Sequence, residues 1–189
     1  MLKRIQSFDE KVSLYWTSRQ FSKGVNKFLK FYVRLGDGYL WAAFIAFVIY
    51  NVGLDVFWPI LGRALCALVA ALAIYEIVKL STKRLRPCEK LSQIKAEVPP
   101  LDKYSFPSGH TMNNLAVASA VFYAVPAYGW LMLLLPLTWG LLRVYYGVHW
   151  FSDIVCGFVL GIVSFFVGSL IWIPVSSILA GYFPQIPFV

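Results

Sequence analysis

The strongest constraint on this chain is a series of long stretches almost free of charge. Residues 151–173 carry Asp153 as their one charged side chain, and residues 130–146 carry Arg143 alone. Hydrocarbon offers no partner for backbone N–H and C=O groups, so only internally bonded helices or closed barrels cross it. A helical crossing takes roughly 20 apolar residues at about 1.5 Å each. Five stretches qualify: 38–54, 60–80, 109–125, 130–146 and 151–173. They predict an all-α integral membrane bundle of about five spans, with residues 1–189 forming one domain and the bundle occupying 38–173. Composition agrees, since 59% of the 189 residues are hydrophobic and 14% charged, against about 25% charged in soluble domains.

Residues 1–35 read differently. Leu2, Ile5, Phe8, Val12, Tyr15 and Trp16 recur at helical intervals, and Ser7 and Glu10 have capping-box spacing. Beyond a break at Ser22-Lys23-Gly24, Val25, Phe28, Leu29 and Tyr32 repeat the stripe, with Lys23, Lys27, Lys30 and Arg34 off it. The pattern predicts an interfacial amphipathic segment, apolar face in the bilayer and lysines among anionic headgroups; the alternative is a helix packed on the bundle. No basic start runs directly into an apolar run, so the first span is expected to act as its own insertion signal. Cys66, Cys88 and Cys156 form no disulfide framework.

Counting spans places the polar residues. The end of the second span, the start of the third, the end of the fourth and the start of the fifth must face one side of the membrane. At those four ends sit Lys79 with Arg86-Pro87, Pro107-Ser108-Gly109-His110, and Arg143 with His149 and Asp153. Ser108 is a good N-cap, and Gly109 lets an anion approach the bare N–H groups of a helix start. Cations beside hydrocarbon with no evident carboxylate partner invite an anionic ligand, which a guanidinium grips as a fork and a lysine as a point charge. His149 and Asp153 are four apart, which puts them on one helix face; the carboxylate can then orient one ring nitrogen and leave the other as a nucleophile. His110 and His149 are the only histidines of the chain. Asp37, between Gly36 and Gly38 on the motif side, is either an assistant to the site or, as the favoured reading, helix-start chemistry.

These blocks resemble the K-x6-R-P, P-S-G-H and R-x5-H-x3-D signatures of the type-2 phosphatidic acid phosphatase superfamily, in order and spacing. The resemblance covers residues 79–153, with one departure: Leu142 stands where the family usually has serine. It implies a phosphatase without metal or other cofactor. His149 would attack phosphorus to form a phosphohistidine, Asp153 would orient it and His110 would protonate the leaving oxygen. Lys79, Arg86, Ser108, Gly109 and Arg143 would hold the phosphoryl oxygens. Fixed cations and a helix N-terminus can stabilise such a transition state.

The partner expected is a phosphorylated membrane lipid in the bilayer, with no nucleic acid; the sequence leaves oligomeric state open. Most of the +8 net charge falls in residues 1–35 and 81–106, on the motif side. That bias favours a multiply charged headgroup such as lipid A 1-phosphate, undecaprenyl diphosphate or phosphatidylglycerol phosphate. The positive-inside rule would place this side in the cytoplasm, whereas bacterial enzymes of the resembled type usually work on the outer side of the inner membrane, and a periplasmic site is the expectation here. A phosphotransferase with the same site is an alternative. An anion or lipid carrier is another, which explains the cations but not the two histidines and Asp153.

Overall fold

The computed structural model describes residues 2–186 and Phe188, and the side chain of Leu2 lies outside the described set. The described residues are helical apart from their connections. α1 (Leu2–Thr17) and α2 (Lys23–Arg34) lead into a π-turn (Leu35–Tyr39), and α3 (Leu40–Thr82) follows. A short α4 (Pro87–Lys90) interrupts the next loop, before α5 (Gly109–Ala124), α6 (Pro126–Tyr145) and α7 (Phe151–Tyr182). Three helical stretches are long and apolar enough to cross a membrane: Lys23–Lys90, Pro126–Tyr145 and Phe151–Tyr182.

The first of these contains the first two expected spans. Gly53, at φ +77°, ψ 170°, breaks α3, a backbone state that only glycine adopts without strain. The chain doubles back there, so that Phe44 and Val48 pack with Phe57 and Ile60. The second arm starts at once after Gly53, earlier than the sequence predicts, and Pro59 lies inside the helix.

α5 is the hub, in contact with α3, α6 and α7. At 16 residues it is about 24 Å long, short of a full hydrocarbon crossing. The other helices enclose it, and most of its side chains are buried. The bundle closes on small residues: a Cβ on Gly168 of α7 would lie 2.3 Å from the Ala67 Cα of α3. With no hydrophobic drive between helices in lipid, close backbone packing of this kind supplies the association.

Two further boundaries differ from expectation. The turn foreseen at residues 126–129 shrinks to Val125, and α6 begins at Pro126, because proline at a first helical position loses no bond and arrives with helical φ. The fifth span continues through Pro174 to Tyr182. Proline there removes one i→i−4 bond, while the Ser176 and Ser177 hydroxyls bond the Ile173 carbonyl one turn back.

The N-terminal segment packs on the bundle and leaves much of its apolar stripe exposed. α1 packs on α6 and α7, yet Ile5, Phe8 and Tyr15 remain exposed, and the side chains it buries are Asp9 and Ser13. On α2, Val25 and Phe28 are likewise exposed while Val33 is buried. Ser7 caps nothing, since α1 is already helical from Leu2. Ser22 does cap α2, its Oγ accepting from the Val25 N–H at 3.4 Å.

Candidate active site

The helix ends converge on a cavity of about 300 Å³ lined by His110, His149, Arg86, Arg143 and Gly109. Each arrives by a different local route. His110 stands in the first turn of α5, whose N-cap is Ser108. The ring of Tyr75 crowds that start so closely that a Cβ on Gly109 would sit 2.8 Å from Cε2. Arg86 precedes α4, where Glu89 Oε2 accepts the Arg86 N–H at 3.1 Å. Arg143 ends α6, and the chain then turns through Gly147 at φ +71°.

His149 lies outside any helix, two residues before α7, so it does not share a helical face with Asp153 as the spacing predicts. Asp153 occupies the third position of α7 and reaches backwards. Its Oδ2 accepts the Trp150 N–H at 2.8 Å and stands 3.4 Å from His149 Nδ1. The pair forms because a first-turn carboxylate satisfies the free donors of a helix start. Burial holds the His149 imidazole down at about 4, against the opposing pull of Asp153. At neutral pH the ring is therefore uncharged, with a lone pair available. With Asp153 on the Nδ1 side, that lone pair falls on Nε2, the nitrogen facing Arg86 Nη1 at 3.5 Å.

Arg86 is 2% exposed and uses its whole fork. Nη1 donates to the Val148 carbonyl at 2.6 Å, and Nη2 donates to Asp102 Oδ1 at 2.7 Å and the Tyr104 carbonyl at 3.0 Å. Lys79 Nζ meets Asp102 Oδ2 at 2.5 Å and also touches the Tyr75 hydroxyl. Burial by itself would raise the Asp102 carboxyl, but the bonds from Lys79 and Tyr75, with the Lys79 and Arg86 charges, outweigh it and hold it below the usual carboxylate range.

Arg143 and His110 have an equivalent carboxylate. Asp37 Oδ1 lies 2.5 Å from His110 Nε2 and 3.1 Å from Arg143 Nη2, while Arg143 Nη2 lies 2.5 Å from His110 Nε2. One nitrogen cannot donate and accept together. Protonated, Nε2 donates to Asp37; deprotonated, it accepts from Arg143. The contact partner therefore follows the proton.

The cations expected to lack carboxylates thus have them. Asp102 escapes sequence reading because it lies in the irregular loop, and only the fold-back of that loop carries it to Lys79 and Arg86. Asp37 is visible but misjudged: the π-turn does not start an ordinary helix, and Asn114 pins it to α5 by donating to the Gly36 carbonyl at 3.0 Å. Three predicted residues stand behind the cavity wall, among them Asp153 behind His149. Lys79 reaches it through Asp102 and Tyr75, and the fully buried Ser108 hydroxyl makes no capping bond, accepting from Thr111 at 3.2 Å. Leu142 packs against the cluster of Val33, Tyr145, Tyr146 and Val148, so the missing serine hydroxyl is replaced by apolar contact. Among the described residues no three His, Cys, Asp or Glu side chains are grouped as metal ligands.

Residues 60–174 match the sequence profile described as the PAP2 superfamily. An undecaprenyl-diphosphatase of Sulfolobus acidocaldarius is 30% identical over 94 residues, 49% of this chain and 46% of that protein. The bacitracin transport permease protein BcrC of Bacillus licheniformis is 37% identical over 60 residues, 32% of this chain and 30% of that protein. The matched stretches thus span less than half of either relative. The fold is similar to that of a PAP2-type phosphatidylglycerolphosphate phosphatase from Bacillus subtilis, with TM-score 0.65 and 22% identity over 88% of this chain and 85% of that one. It is also similar to Aquifex aeolicus LpxE, with TM-score 0.67 and 20% identity over 84% and 92%.

Proposed function

This chain belongs to the PAP2 superfamily, and from that membership we propose that it is a phosphatase of phosphorylated membrane lipids acting through a phosphohistidine, without a metal. The observation that carries the reading is the convergence of His149, His110, Arg86 and Arg143 on one cavity whose wall continues into an apolar one. Gly38, Trp41, Leu68 and Val117 line both, and the second continues along Phe44, Val48 and Phe57 inside the bundle. A phosphate whose leaving group carries hydrocarbon fits that pairing of a charged end with an apolar run.

In this reaction the neutral His149 Nε2 attacks phosphorus as the bond to the lipid oxygen breaks, and His110 gives its proton to that oxygen. Asp153 stabilises the charge that develops on the His149 ring. Arg86, Arg143 and the Gly109 amide hold the phosphoryl oxygens, phosphate taking the places that Asp102 and Asp37 hold at the cations, with Lys79 and Ser108 supporting that cradle from behind the wall. Water, deprotonated by His110, then cleaves the P–N bond and releases phosphate and neutral His149. Positioned charge of this kind supplies most of the catalysis in phosphoryl transfer.

The test is release of inorganic phosphate by the purified chain from phosphatidate, phosphatidylglycerol phosphate, undecaprenyl diphosphate and lipid A 1-phosphate. Release is expected, fastest from the multiply charged headgroups. Transfer of the phosphoryl group to a second lipid without free phosphate would make the chain a phosphotransferase, and no turnover of any of the four would defeat the proposal. The undecaprenyl-diphosphatase and phosphatidylglycerolphosphate phosphatase among the similar proteins guide the choice of panel.

We place the site on the periplasmic face of a bacterial inner membrane, although the basic N-terminal segment would favour the cytoplasm. The cradle and the interfacial helices need positive charge on either side, which weakens that rule here. With five crossings the C-terminus then lies in the cytoplasm. Alkaline phosphatase fused after Val189 should be inactive; an active fusion would reverse the assignment.

A further inference from the structure

The N-terminal helix is wired to the catalytic pair by two charged residues to which the reaction above gives no role. Asp9 of α1 is 0% exposed. Its Oδ2 accepts from Arg84 Nη2 at 2.6 Å and from Ser152 Oγ at 2.5 Å, and its Oδ1 accepts the Ser152 N–H at 2.9 Å. The guanidinium of Arg84 bridges onward, Nη1 donating to Asp153 Oδ1 at 2.6 Å and to Ser152 Oγ at 2.7 Å. Asp153 presents its other oxygen to Trp150 N–H and His149 Nδ1. An unbroken run of charged contacts therefore leads from α1 to the ring of His149.

Anchoring alone does not account for this. An interfacial helix needs its apolar face in the bilayer and its charges in water, yet α1 turns a carboxylate into the protein and leaves Ile5, Phe8 and Tyr15 outside. Burying a carboxylate is costly unless it is paired and hydrogen-bonded, and Asp9 has three donors. The other ion pair of α1, Lys90 with Glu10 at 2.9 Å, is partly exposed, and such pairs contribute little.

We propose that Asp9 and Arg84 are positioning residues for the nucleophile, coupling the seating of α1 at the membrane surface to the orientation of His149. Arg84 fixes Oδ1 of Asp153, which turns Oδ2 towards His149 Nδ1 and sets both the ring and its tautomer. Asp9 fixes the plane of the Arg84 fork. With α1 displaced from the interface, Arg84 loses one of its two carboxylates and Asp153 gains rotational freedom. The inference rests on the reading of His149 and Asp153 as nucleophile and orienter.

The full chain in phosphatidylglycerol-containing vesicles, with undecaprenyl diphosphate as substrate, provides the test. Asp9→Asn is expected to lower kcat about tenfold and Arg84→Gln about a hundredfold, the range for residues that orient a catalytic group through another, with KM within about twofold. Because Asp9 acts through Arg84, the double variant should be no slower than Arg84→Gln alone, and Glu10→Gln should match the wild type. Wild-type kcat in Asp9→Asn, losses confined to KM, or losses that multiply in the double variant would each overturn the proposal. If Asp9→Asn fails to fold, Arg84→Lys carries the test: it keeps the charge but loses the planar fork that holds Asp9 and Asp153 in fixed orientation, so kcat must fall at constant KM, and an unchanged kcat refutes the coupling. His149→Ala run alongside separates the two ideas. Activity in that variant removes the underlying dyad, whereas a dead His149→Ala beside normal Asp9→Asn and Arg84→Gln removes only the coupling.

Discussion

Replacing His149 by alanine is expected to reduce phosphate release from lipid substrates by on the order of 10³-fold or more, as loss of a covalent nucleophile does elsewhere. Folding should survive the change. Asp153 keeps its bonds from Arg84 and the Trp150 N–H, so no buried carboxylate is stranded, and Arg86 keeps the Val148 carbonyl and Asp102. Size-exclusion profile and thermal midpoint should therefore stay near those of the wild type while initial rates vanish. Substantial steady-state turnover in well-folded His149→Ala would exclude this residue as the nucleophile.

Arg86→Ala should be damaging in a different way, lowering stability as well as activity. This side chain fastens the loop at residues 81–106 to the turn that carries His149, bonding Asp102, Tyr104 and Val148 across that junction. Asp102 is itself 34% exposed and keeps Lys79, so the cost falls below that of a fully buried pair and comes mainly from stranded acceptors, about 1–3 kcal/mol. Here the loss leaves the Val148 and Tyr104 carbonyls without their guanidinium donor. Denaturant unfolding in detergent should show a deficit of that size, with phosphate release falling in parallel. An unfolding free energy indistinguishable from that of the wild type, its deficit below the roughly 1 kcal/mol minimum expected for stranded buried acceptors, would show that the loop is held by other contacts, such as Cys88 N–H to the Gly147 carbonyl and Glu97 N–H to the Tyr146 carbonyl.

How far the sequence reached differs from residue to residue. His110, Arg143 and Arg86 were legible because each sits beside a helix end, and the order of apolar runs dictates which ends share a leaflet. The His149–Asp153 pair was legible from its spacing, although the reason it forms is a first-turn carboxylate reaching back to the loop rather than a shared helical face. Asp102 was not legible at all. Its contacts with Lys79 and Arg86 depend on how an irregular loop folds over the bundle, and no periodicity governs such a path. Asp9 was hidden differently, on a helix whose apolar stripe signals membrane contact and says nothing about which polar side chain turns inwards.

The sequence by itself determined that the chain is a helical membrane protein and that its basic and histidine motifs gather at one end of the bundle. Both follow from local rules, since hydrocarbon admits only self-satisfied backbone and a helix has a fixed rise per residue. Only the tertiary structure decided what neutralises the cradle, with Asp102 on Lys79 and Arg86 and Asp37 on Arg143 and His110. It also decided that Asp9 and Arg84 stand behind the His149–Asp153 pair. Those pairings join residues far apart in the chain, and their energy arises only when burial removes water from both partners at once, a condition that no single stretch of sequence contains.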